Sequence, residues 1–140
     1  MIYYLIASIL IAVTALFART KRAVLAAGIL FYAVQIAAAG LLLWGGLYDT
    51  TSAAFFTFDA LRTLFYLLLV VVSMYVFGHS EAYLQGEDLR SYRLYFALLM
   101  LLTTAIAGAY FANNLAVTWI FLEATTLCSA GIIYHRRTAQ

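Results

Sequence analysis

Four stretches of this chain, residues 1–18, 23–48, 63–80 and 94–122, contain no Asp, Glu, Lys or Arg. A helix that is apolar all round has to be buried on every side, either in a large protein or in a lipid bilayer. The chain has only 140 residues, and 66% of them are hydrophobic. A domain of that size leaves too much of its surface wet to hide so much apolar area. Charged residues make up 10% of the chain, against about 25% in soluble domains. The composition therefore excludes a soluble domain and predicts an all-α transmembrane protein.

Other classes fall away in turn. The eight Lys and Arg are scattered between apolar spans and form no patch for nucleic acid. Cys128 is the single cysteine, so no internal disulfide forms and it reads as a small buried apolar residue. The chain has no glycine-rich phosphate loop, no paired cysteines and no Ser–His–Asp set. His79 and His135 are far apart and make a poor case for a metal or haem. The expectation is a non-catalytic chain with no cofactor and no metal.

A membrane helix needs about 20 apolar residues. The stretch that begins at Leu94 runs on past Glu123 to Tyr134, which is too long for one helix. Asn113 and Asn114 stand in its middle, and adjacent asparagines favour a turn. Splitting there predicts five spans, at residues 2–18, 24–47, 60–79, 93–112 and 115–134, in one membrane domain covering 1–140. Arg19, Lys21, Arg22, Arg90, Arg93, Arg136 and Arg137 then share one side, with only Arg62 on the other. The positive-inside rule makes that side the cytoplasm, with the N-terminus outside and the C-terminus inside. Tyr3, Tyr4, Trp44 and Tyr48 would mark the outer boundary, and Tyr92, Tyr95 and Tyr134 the inner one. Positive charge follows the first apolar run instead of preceding it, so that run reads as a retained anchor, not a cleaved signal. The connections at residues 49–60 and 79–92 are too short to fold alone.

Five of the six acids lie at or near a predicted boundary; Glu123 falls inside the fifth span. An ionised side chain at the centre of a bilayer helix costs at least about 2.5–3.5 kcal/mol, and such residues face a partner helix or a water-filled path. At 100° per residue, Thr126, Ala130 and Arg137 share the face of Glu123. These small or polar side chains leave room for water toward the C-terminal end, while Trp119, one turn earlier, closes the other. A carboxylate that loads and releases protons needs desolvation and a nearby cation in near balance. No Lys or Arg lies within a span away from its ends, so the cation has to come from a second polypeptide. The competing reading is a protonated glutamate acting as interhelical glue. Gln35 reads as a packing hydrogen bond. Gly108 and Ala109, with Thr103, Thr104, Ala105, Ala107 and Ala112, make the fourth helix small-faced, and Gly131, with Thr125, Ser129 and Ala130, gives the fifth a similar surface.

The sequence NLAVTWIFLEATTLCSAGIIYH, residues 114–135, resembles the fifth helix of the antiporter-like membrane subunits. Those subunits occur in respiratory complex I (NADH–quinone oxidoreductase), Mrp-type sodium/proton antiporters and membrane-bound hydrogenases. FDALR at 58–62 is similar to the start of that family's third helix, and Arg93 with Tyr95 and Phe96 to the start of its fourth. EATTL at 123–127 is nearer to the hydrogenase branch. The resemblance implies that Glu123 is a central proton-transfer residue, paired in the family with a lysine on a later, interrupted helix. That lysine, the interrupted helices and the family's second inverted repeat are absent from this sequence. The expectation is the N-terminal piece of a split subunit in a redox-driven, ion-translocating respiratory or hydrogenase-type complex of a prokaryotic plasma (inner) membrane. Its expected partners are the lipid bilayer and other membrane subunits, one of which carries the intramembrane lysine; nucleic acid is not among them. Thr126, Thr125 and Ser129 would order water for proton transfer near Glu123, and His135 would face the cytoplasmic entrance. The alternatives are a scaffold or assembly subunit of the same kind of complex without its own ion path, and a small homo-oligomeric carrier.

Overall fold

A computed structural model describes residues 2–45, 56, 59–84 and 86–138, the side chains of 135–138 excepted. The chain forms five helices, α1 (Ile2–Leu16), α2 (Lys21–Gly45), α3 (Ala60–Leu84), α4 (Leu89–Phe111) and α5 (Leu115–Thr138). The only extended pairing among the described residues is an isolated bridge between Phe56 and Ala112. Most of the expected 49–60 connection, with Tyr48 and Phe58, lies outside the described residues, as does Gln85.

Four of the five expected spans, α2 to α5, are long and apolar enough to cross a membrane. The first differs: α1 has 15 residues, which at 1.5 Å each rise about 22 Å, short of the roughly 30 Å hydrocarbon core. It ends at Leu16, before Ala18. The starts of α2 and α4 and the ends of α3 and α5 extend beyond the apolar windows to include charged or polar residues. Between α4 and α5 the asparagines break the chain as their chemistry requires. Asn114 Oδ1 accepts from the Ala116 backbone N–H at 3.0 Å, a side-chain cap on the first turn of α5. Arg62 donates to the Ala112 carbonyl at 2.9 Å and holds the turn against α3.

The helices alternate in direction. Gly28 meets Phe77 while Gln35 meets Tyr66, and Phe77 meets Phe96 while Tyr66 meets Phe111. Between α4 and α5, Phe121 lies over Gly108 and Leu98 over Gly131. Among the described residues, helix α4 packs against all four of the others, whereas α5 packs against no helix but α4. The composition of α4 explains its central place. Thr103, Thr104, Ala105, Ala107 and Gly108 are all buried, and small side chains let neighbouring helices come close. The two threonines stay satisfied because their hydroxyls donate to the Leu99 and Met100 carbonyls one turn back, at 2.9 and 2.8 Å.

On α3 the buried residues are Thr63, Tyr66, Val70, Ser73, Phe77 and Ser80. Their spacing of three and four residues is that of a left-handed helix seam. Polar and apolar layers alternate along it. Tyr66 bonds to Gln35, Tyr32 donates to the Ser73 carbonyl at 2.8 Å, and the Ser80 and Tyr95 hydroxyls lie 3.0 Å apart. Val70 and Phe77 fill the layers between.

Outside, the bundle is apolar. Leu10, Leu30, Ile36, Leu68, Val71 and Leu127 are all exposed, as a surface in contact with lipid requires. Three of the expected boundary aromatics face inward. Tyr92 is buried at 2% exposure, Tyr95 is half-buried against Ser80, and Tyr4 is half-buried against Gln35. Their helical face turns them into the bundle, whereas Tyr3, Trp44 and Tyr134 point out. At the end of the bundle where α4 starts, Lys21 Nζ donates to the Glu87 carbonyl at 2.6 Å and stands 5.5 Å from the centre of the Tyr92 ring. Arg93 donates to the Ala18 carbonyl at 3.3 Å. These contacts gather the basic residues of two distant segments at one end.

Candidate functional site

Helix α5 carries the acid at issue. No residue of its apolar stretch from Leu115 to Tyr134 is buried within the chain. Its half-buried residues, among them Val117, Phe121 and Ala124, lean on α4, and the opposite face is open. Glu123 is on that open face and is exposed. Its carboxylate has no hydrogen bond or ion pair among the described residues. Leu122, Leu127, Trp119 and Ile120 surround it and are exposed as well. An acid in such a setting has two fates. It takes a proton and a hydrogen-bond partner, or it meets a cation on whatever covers that face.

The other expected site residues distribute around this stripe. Thr126 and Ala130 are exposed beside Glu123. Thr126 Oγ1 donates to the Glu123 carbonyl at 2.8 Å, Ser129 Oγ to the Thr126 carbonyl at 2.9 Å and Thr125 Oγ1 to the Phe121 carbonyl at 2.8 Å. All three hydroxyl protons are thus held within α5, and what each offers outward is oxygen lone pairs. Thr125 and Ser129 are half-buried, off the open stripe. The backbone of His135 belongs to α5, while its side chain and that of Arg137 lie outside the described residues. Cys128 was expected to be buried and is instead half-exposed, because α5 has only one neighbour to cover it. His79 is exposed and stacks on Tyr75 with rings 6.1 Å apart. Among the described residues no cluster of His, Cys, Asp or Glu has the makings of a metal site.

The packing glycines have measurable tasks. A Cβ on Gly108 would stand 2.3 Å from the Phe121 ring, and one on Gly131 would stand 3.1 Å from Leu98. Ala109 is half-buried and lines a shallow groove with Leu61, Arg62 and Tyr110. Sequence reasoning missed Gly28, whose added Cβ would fall 2.0 Å from Phe77 Cζ. No motif marks it; only its place opposite a large aromatic does.

A second polar constellation lies inside the bundle. Gln35 is fully buried, and its Oε1 accepts from the Tyr4 hydroxyl at 2.7 Å and from the Tyr66 hydroxyl at 2.6 Å. This amide joins α1, α2 and α3, which is the packing role the sequence suggested for Gln35. The tyrosines, however, were not legible as its partners. Gln35→Leu leaves two hydroxyls without their acceptor and should cost about 2–4 kcal/mol. Thermal unfolding in detergent would read this as a loss of roughly 8 °C. Adding Tyr4→Phe and Tyr66→Phe should recover most of it, because the orphaned donors are then gone.

No protein family model, characterised protein or solved structure matches the chain.

Proposed function

We propose that this chain is a membrane subunit of a multisubunit ion-translocating complex, and that the open face of α5 is where a neighbouring polypeptide sits. One observation carries the reading: Glu123, inside an apolar helix, points away from its own bundle and has no partner among the described residues. Bare contact between that side chain and lipid costs at least about 2.5–3.5 kcal/mol. A covering helix that brings a lysine removes the cost and gives the carboxylate the balanced surroundings of a proton carrier. Thr126 and Ala130 are small enough to let that helix approach. The resemblance of residues 114–135 to antiporter-like subunits of respiratory and hydrogenase-type complexes supports the same assignment. Under it, this chain is the first part of a proton or sodium translocation module in a prokaryotic plasma membrane and carries no redox centre. Its basic end faces the cytoplasm. Helix α1 is then a fifth, short pass, accommodated by local thinning of the bilayer.

Purification in a mild detergent tests the proposal. The chain should copurify with several other membrane subunits, at least one of which has a lysine inside a predicted span. A particle containing this chain alone would exclude the split-subunit assignment.

A further inference from the structure

The Tyr4–Gln35–Tyr66 constellation is incomplete as the protein alone supplies it. Gln35 Nε2 is buried and has no hydrogen-bond partner, and the same holds for Ser8 Oγ. Both residues are fully buried, at 0% exposure. Ser8 follows Tyr4 by one turn of α1, so its hydroxyl belongs to the same polar layer. Turning the Gln35 amide over does not help, because either orientation leaves one end of the amide unpaired while the other faces the two tyrosines. The layer is also rich in donors. The two tyrosine hydroxyls direct their protons at Gln35 Oε1 and the Gln35 carbonyl, the latter 3.3 Å from the Tyr66 hydroxyl, which leaves the amide N–H groups without an acceptor. The Ser8 side chain lies beside the Tyr4 hydroxyl.

We infer that this layer is a binding site for an internal water, held by the Gln35 side-chain amide and the Ser8 hydroxyl at the junction of α1, α2 and α3. Water fits because it can accept two hydrogen bonds and donate two, and buried waters typically make about three. An apolar guest leaves the Gln35 Nε2 amide unanswered. The site stands apart from Glu123, which is on the open face of α5, and it makes no use of a partner chain.

Full-length protein in lipid nanodiscs, labelled with 15N-glutamine, provides the test. Gln35, Gln85 and Gln140 are the only glutamines, so the Gln35 side-chain amide signals are assigned by their loss in Gln35→Met. Magnetisation transfer from water to those signals is expected, even though no bulk water reaches the site. Ser8→Ala is the second arm, read together with the water transfer, because loss of a Ser8–Tyr4 contact alone would lower the midpoint without weakening that transfer. If Ser8 bonds to a water, the midpoint of thermal unfolding falls by about 3 °C and the water transfer to Gln35 weakens. If the hydroxyl is unpaired, its removal leaves the midpoint unchanged or raises it. Absence of water transfer to Gln35, or a midpoint that holds or rises in Ser8→Ala, overturns the inference.

Discussion

Replacing Glu123 with Gln should lower coupled ion transport on the order of a hundredfold, the range set by loss of a proton-transferring group, while the complex still assembles. Gln keeps the size and hydrogen-bonding reach of Glu and loses only the exchangeable charge. It therefore separates two roles that geometry alone leaves joined. A glutamate serving as neutral glue between helices is replaced by Gln at almost no cost. A glutamate that alternates between charged and protonated forms against a lysine is not. Glu123→Asp keeps the titrating group and should restore part of the rate. The measurement is ion uptake by vesicles containing the assembled complex, with subunit content checked on the same preparation. An assembled Glu123→Gln complex that pumps at the normal rate would leave Glu123 a structural residue.

Gly28→Val should cause the largest loss of stability among single substitutions between α2 and α3. The added Cβ would lie 2.0 Å from Phe77 Cζ, so one of the two has to move. The Phe77 ring is buried and wedged between Tyr32, at 5.2 Å, and Phe96, at 4.7 Å. Both neighbours restrict where it can turn. Overpacking of this kind costs about 1–3 kcal/mol, and the upper end is expected because two aromatic neighbours must shift as well. Gly108 is the instructive contrast. Its Cβ would meet Phe121 at a similar 2.3 Å, but Phe121 is only half-buried and belongs to the helix with a single neighbour. Phe56 flanks that ring at a longer 6.4 Å, so Gly108→Ala should cost visibly less than Gly28→Ala. Thermal unfolding of the purified protein ranks the pair, and equal losses would contradict the argument. Gly28→Ala combined with Phe77→Leu should recover most of the stability lost by Gly28→Ala alone.

Two kinds of information were unequally legible in the residues. The break at Asn113 and Asn114 was predictable because asparagine side chains compete locally for backbone hydrogen bonds, and Asn114 does so at the first turn of α5. The isolation of Glu123 was predictable because charge in an apolar run is expensive wherever the run folds. The short first helix was less so: residues 1–18 are uncharged throughout, and nothing in their polarity marks Leu16 as the last helical residue. That Tyr4, Tyr92 and Tyr95 turn into the bundle was not legible for a related reason. Tyrosine suits both a wet interface and a buried hydrogen bond, and its position along a span does not say which neighbour it meets.

What this chain's sequence determined by itself was its helical, membrane-suited character, the turn between α4 and α5, and the single costly acid. Those follow from local chemistry: apolar content per segment, asparagine beside asparagine, a carboxylate among leucines. Tertiary structure alone decided that α4 is the hub, that Gly28 receives Phe77, that Gln35 collects two tyrosines, and that α5 leaves Glu123 facing outward. Helices apolar on all sides carry little pattern to say which side packs inward. That choice falls to the fit of small residues against large ones and to the few polar groups that must find one another.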